Sequence, residues 1–268
     1  MATNEALNAA TNGYTNGHAD TERHPKEKED VATARPTVQI FLQPIAPPAA
    51  LGLAGFAGST FITSAWICAW YGNAHSPTIF FPFIGIFGGV AQFIAGLFGF
   101  KARDTLVTVI NTMWGSFWIA IGILYAFVPA GIVPPHSIYT HFPELAVWFV
   151  PLTLFTWSGA IAATARDLVL SACLFSLAIG CTIACGLFAY GEGVRSVIKA
   201  AAYFWMFSSL CAWWRVTVYL IEEAYGPNHF ITKFFPICRT PIEKAGPSVS
   251  SGYGEPGVKR GVPRPEER

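Results

Sequence analysis

Residues 85–118, GIFGGVAQFIAGLFGFKARDTLVTVINTMWGSFW, constrain this fold more than any other stretch. Two long apolar runs are joined by a short charged turn, Lys101-Ala102-Arg103-Asp104-Thr105. Water-soluble domains rarely contain such a pair. Two helices that cross a bilayer and return have this pattern. Gln92 sits mid-run among glycines, and an unpaired amide in hydrocarbon costs several kcal/mol. This helix is therefore expected to pack on protein as well as lipid.

Six such apolar segments follow one another, at about 48–71, 78–99, 106–128, 145–164, 168–189 and 198–221. Each is near the roughly 20 residues that a membrane helix needs. Pro77, Pro129, Pro134, Pro135 and Pro143 lie at or near their ends, where proline costs least. Composition agrees, since 53% of residues are hydrophobic and only 12% charged, about half the usual charged share. The expectation is an all-α integral membrane protein with six transmembrane helices per protomer. The membrane domain spans 47–240, and residues 1–46 and 241–268 read as disordered cytoplasmic tails. No apolar stretch follows Met1, so the start does not read as a signal peptide.

With a cytoplasmic N-terminus, the tails and the 2–3 and 4–5 turns hold fourteen of the seventeen Lys and Arg. That bias favours both termini inside. Trp66, Trp70, Tyr71 and Tyr190 fall near span ends, as interfacial aromatics do. Trp114, Trp118, Trp157 and Trp205 lie deeper and pack between helices or line a pathway.

Several function classes lose support. The basic residues form no stripe that would hold nucleic acid. Cys68, Cys173, Cys181, Cys185 and Cys211 fall inside apolar runs and read as small packing residues. No Cys/His pair has zinc spacing, and no phosphate loop or nucleophile elbow appears. No metal or cofactor is expected. Glu144, Glu192, Glu222 and Glu223 lie only at span ends. Without a mid-span carboxylate, a membrane enzyme, a proton pump or a cation exchanger is disfavoured.

What remains is uncharged. Gly52, Gly55 and Gly58 thread the first span, and Gly88, Gln92 and Gly96 share one face of the second. They serve close helix packing or leave room for a pore. Asn111, Thr112 and a set of Ser and Thr hydroxyls are candidates to line that path. Arg215, the one charge inside a span, either snorkels to the interface or docks a carboxylate. His75, His136 and His141 fall on the side opposite the tails.

These residues resemble the acetate uptake transporter family, the YaaH-type acetate/succinate–proton symporters, which has fungal members. The likeness runs over about 48–237. Its strongest block pairs Ala91-Gln92 and Ala95-Gly96 with the basic turn ending in Thr105 and with Gly115-Ser116-Phe117-Trp118. A signature of NPAPLGL type corresponds to Pro47-Pro48-Ala49-Ala50-Leu51-Gly52-Leu53, followed by Gly55-Phe56. Ala212-Trp213-Trp214 resembles the family's last-helix AWY. Pro47 replaces the signature Asn, Ala50 replaces its second Pro, and Arg215 follows where fungal members have Asn.

The resemblance implies a six-helix protomer in a homo-hexamer, each protomer with its own pore. It implies a constriction at Phe56, at Trp114 in place of Tyr, and at Leu177 or Phe175. The implied activity is transport of a small carboxylate, acetate-like or succinate, across the plasma membrane, with protons as co-substrate. Gln92, Asn111, Thr112 and Arg215 are the candidate polar groups on the path. The departures at Pro47 and Trp114 leave a second reading, a non-transporting sensor or scaffold of the same fold.

Overall fold

Pro48, Pro77 and Pro143 each occupy the first turn of a helix, where their missing N–H is no loss. Two other helices start on an aspartate. The Asp104 carboxylate accepts from Val107 N at 3.0 Å and that of Asp167 from Leu170 N at 2.7 Å, each satisfying an otherwise orphaned first-turn donor. A computed structural model describes residues 45–134, 142–191, 195–226 and 229–241. All of them fall in one compact unit, Pro44–Arg268. The tails up to residue 44 and from 242, together with His136, His141 and Glu192, lie outside the described residues.

The architecture is all-α: α1 (Pro48–Ile67), α2 (Ser76–Lys101), α3 (Thr105–Phe127), α4 (Pro143–Ala163), α5 (Leu168–Tyr190) and α6 (Arg195–Tyr225), then a short 3-10 turn, Phe230–Phe234. Each helix packs on the next, and α1 packs on α6, which closes the sequence of neighbours into a ring. The outward surface is apolar, with Ile79, Ile86, Phe100, Val147, Leu154 and Ile161 all exposed. In water such a surface would not persist; in lipid it is the expected exterior.

Among the described residues, five helices, α1 to α5, are long and apolar enough to cross a membrane. The expected count of six spans is therefore corrected to five. The segment at 198–221 does form helix, within the 31 residues of α6, but its composition falls short. Tyr203, Trp205, Ser208, Ser209, Trp213, Trp214 and Arg215 dilute its aliphatic content. Several of those polar groups bond within the protein instead. Ser208 Oγ donates to Cys173 O at 2.7 Å, and Ser208, Ser209 and Arg215 are buried. With five such helices, two expectations lose their basis. One is that both termini share the cytoplasmic side. The other is a hexamer built from six-span protomers.

Within α2, residues Gly85–Ala91 form a π-helical stretch, just after Pro82. Proline removes a backbone donor and crowds the preceding turn, and the wider π turns follow it directly. The glycines there let neighbours approach: a Cβ on Gly88 would collide with Ser59, and one on Gly89 would lie 2.8 Å from Ile119. Backbones also approach closely across α2 and α3, where a Cβ on Gly115 would sit 2.6 Å from Phe93 N. Gly115→Ala should therefore destabilise the protein by about 1–3 kcal/mol. Gly186→Ala, with open space around it, should be neutral or slightly stabilising. Thermal unfolding of both variants in detergent checks the pair; equal midpoints would contradict the close α2–α3 approach.

Candidate functional site

Among the described residues, two cavities stand out inside the ring. The upper one, about 80 Å³, is walled mainly by aromatic and aliphatic side chains, among them Trp66, Phe81, Trp114, Trp118 and Phe149. Thr60, Thr63 and Ser64 add hydroxyls from α1. The lower one, about 40 Å³, is more polar, and Gln92, Asn111, Arg166 and Tyr219 stand on its wall.

Phe56, Trp114 and Leu177 stand where these cavities meet. Phe56 lines the lower, Trp114 the upper, and Leu177 both. All three are buried, and the Phe56 and Trp114 rings meet edge to face with centroids 6.3 Å apart. The Trp114 indole is tethered, because its Nε1 donates to Thr156 Oγ1 at 3.2 Å. That bond crosses from α3 to α4. Phe175 lies elsewhere, half-buried against Trp157.

The signature segment feeds the lower cavity. Pro47 precedes α1 and accepts from Ala50 N through its carbonyl at 3.1 Å, and Pro48 is buried in the first turn. Leu51 faces outward, whereas Ala49 and Leu53 line the cavity. Gly52 lies against Asn111, and a Cβ there would overlap its side-chain amide. A glycine at this position leaves the space that Asn111 occupies.

The two amides touch. Asn111 Nδ2 donates to Val107 O at 2.9 Å, and Gln92 Nε2 donates to Asn111 Oδ1 at 3.4 Å. Thr112 is placed apart from them. Its hydroxyl bonds back to Thr108 O at 2.7 Å, its methyl faces Gly96, and it lines neither cavity. Most other in-span hydroxyls also bond their own helix, Ser116, Ser158 and Thr182 among them. The α1 hydroxyls differ: Ser59, Thr60, Thr63 and Ser64 have no hydrogen-bond partner among the described residues.

At the lower cavity and beside it lies a charged layer of which sequence reasoning named only Arg215. In the charged turn at Lys101–Thr105, Lys101, Arg103 and Thr105 are exposed, but Asp104 is buried. Arg166 grips it with both terminal nitrogens, at 2.6 and 2.7 Å. Arg215 does not snorkel. It is 1% exposed, with Nε 3.4 Å from Asp167 Oδ2, and it donates to Tyr219 Oη at 3.2 Å. A signal was present in the sequence: Ala-Arg-Asp occurs at 102–104 and again at 165–167, each time directly before an apolar helix. The arginine of the second copy pairs with the aspartate of the first.

Residues 32–236 match the GPR1/FUN34/yaaH family. The chain belongs to that family. Among its relatives is the succinate-acetate/proton symporter SatP of Escherichia coli K12, 28% identical over 190 residues, which cover 68% of this chain and 92% of that one. Acetate permease A of Emericella nidulans is 24% identical over 75% of this chain and 68% of its own length. Ammonia transport outward protein 2 of Saccharomyces cerevisiae is 26% identical over half of this chain and 48% of its own. Among solved structures, the bacterial acetate channel SatP superposes with a TM-score of 0.59 at 24% identity, over 68% of this chain and 96% of that one. That likeness concerns the fold. The family is one of integral membrane proteins, and the relatives named above are transporters rather than enzymes.

Proposed function

We propose that this protein carries a small carboxylate, acetate or succinate, across a cellular membrane, most simply the plasma membrane, in company with a proton. The observation that carries the reading is the pair of cavities inside the helix ring, stacked on either side of Phe56, Trp114 and Leu177. Their sizes suit molecules of a few heavy atoms. Relatives named for acetate and succinate support the substrate class.

Passage would run from the upper cavity, past the three apolar side chains, to the amides and Arg166 of the lower cavity. Taking a bare carboxylate through the apolar step is costly. Protonation of the substrate, or donors that follow it, removes most of that cost. Gln92, Asn111 and Arg166 are the groups that receive it; Arg215 acts one layer below, through Asp167 and Tyr219. The reading includes a homo-oligomer in which each protomer holds its own passage.

Uptake of labelled acetate and succinate by vesicles holding the purified protein tests the reading. Uptake several-fold above protein-free vesicles, stronger under an inward proton gradient, is the expected result. Absence of both labels at every pH would favour the non-transporting sensor or scaffold.

A further inference from the structure

The lower cavity holds an amide whose orientation is fixed by its neighbours. The Val107 carbonyl can only accept, so Asn111 must turn its Nδ2 toward it, at 2.9 Å. That leaves Asn111 Oδ1 as an acceptor. Gln92 must then present Nε2, at 3.4 Å. The amide at the end of this relay has only its oxygen left. Gln92 is 1% exposed, lines the cavity, and its Oε1 has no partner among the described residues. A buried carbonyl oxygen without a donor calls for one from a ligand.

Charge in the same cavity points the same way. Arg166 is the cation on its wall, and Asp104 already holds it with two short bonds. One layer below, Arg215 faces Asp167. Among the described residues, Tyr219 and Cys173 are the other titratable groups lining the space. A carboxylate entering here would meet the bare oxygen of Gln92 and a guanidinium already neutralised. A protonated carboxylic acid would meet an acceptor placed for its O–H.

We infer that Gln92 selects the neutral, protonated form of the substrate, its Oε1 accepting the acid's hydroxyl in the lower cavity. This rests on the carboxylate reading given above and deepens it. The proton then travels as part of the substrate, and no side chain of the protein has to relay it. A dicarboxylate must gain two protons to become neutral. Succinate uptake should therefore fall about 100-fold per pH unit well above the carboxyl range, where acetate uptake falls about tenfold.

The test measures labelled acetate and formate uptake by proteoliposomes across a pH series, with protein-free vesicles subtracted. Each rate is expected to follow the concentration of that acid's own protonated form. The formate profile should lie displaced to lower pH, because formic acid is the stronger acid. Gln92→Met keeps the length of the side chain and removes the acceptor; it should slow acetate uptake about tenfold while unfolding like the wild type. One shared pH profile for both acids would assign the dependence to a protein group and overturn the inference. So would uptake indifferent to pH, or a Gln92→Met protein at wild-type rate. If that variant does not fold, the two-acid comparison on the wild type decides by itself. Wild-type protein that takes up neither acid removes the carboxylate reading and this inference with it, whereas uptake with the wrong pH profile removes only the inference.

Discussion

Asp104→Ala is expected to lower the stability of this protein by about 3–5 kcal/mol, because it strands the Arg166 guanidinium without its carboxylate. Arg166 is mostly buried, and its bonds to Asp104 join the start of α3 to the turn before α5. The same substitution also removes the cap on Val107 N, a further loss of about 1 kcal/mol. For a chain of this size the unfolding midpoint should drop by roughly 10 °C or more. The double variant Asp104→Ala/Arg166→Met removes the stranded charge and should recover part of the loss, which a double-mutant cycle measures. A single variant that melts within about 1 °C of the wild type would show that this pair contributes no net stability.

Trp114→Ala should have the second large effect, on both stability and selectivity. The indole is 2% exposed and contacts Phe56, Phe117 and Thr156. Removing it should cost about 3–5 kcal/mol through the cavity left behind. It would also join the two cavities where they now meet. If this ring limits the size of what passes, benzoate uptake should rise at least about tenfold relative to acetate uptake. Trp114→Phe keeps an aromatic ring but loses the bond to Thr156, so it should raise the ratio far less. An unchanged benzoate-to-acetate ratio in the alanine variant would place the size limit elsewhere.

Much of the molecule was legible from pattern. Apolar runs of membrane length, broken by proline and charge, marked five of the six long helices as spans. The sixth run misled because its length and scattered apolar residues suggested a span, while its hydroxyls, indoles and Arg215 leave its composition short of one. Composition does not say whether the helix faces lipid or packs its polar groups against other helices. Ser208 and Arg215 resolve this through Cys173 and Asp167, on a neighbouring helix and the turn before it. Thr112 illustrates the same limit at one residue. Its spacing next to Asn111 put it among the path residues, yet one step around a helix turns a side chain by about 100°, and its hydroxyl bonds its own backbone.

The sequence by itself determined the class of solvent, the all-α architecture and the family, because each depends on the order of residue types along the chain. Residues 85–118 already held the glycines, the amide and the turn that join α2 to α3. Tertiary structure alone decided which charges meet and which way Gln92 points. Asp104 and Arg166 are sixty-two positions apart, and the repeated Ala-Arg-Asp that holds them does not say which arginine meets which aspartate. The free oxygen of Gln92 follows from a carbonyl on another helix, through Asn111. Long-range pairing of this kind is set by packing in three dimensions, and one-dimensional pattern has no term for it.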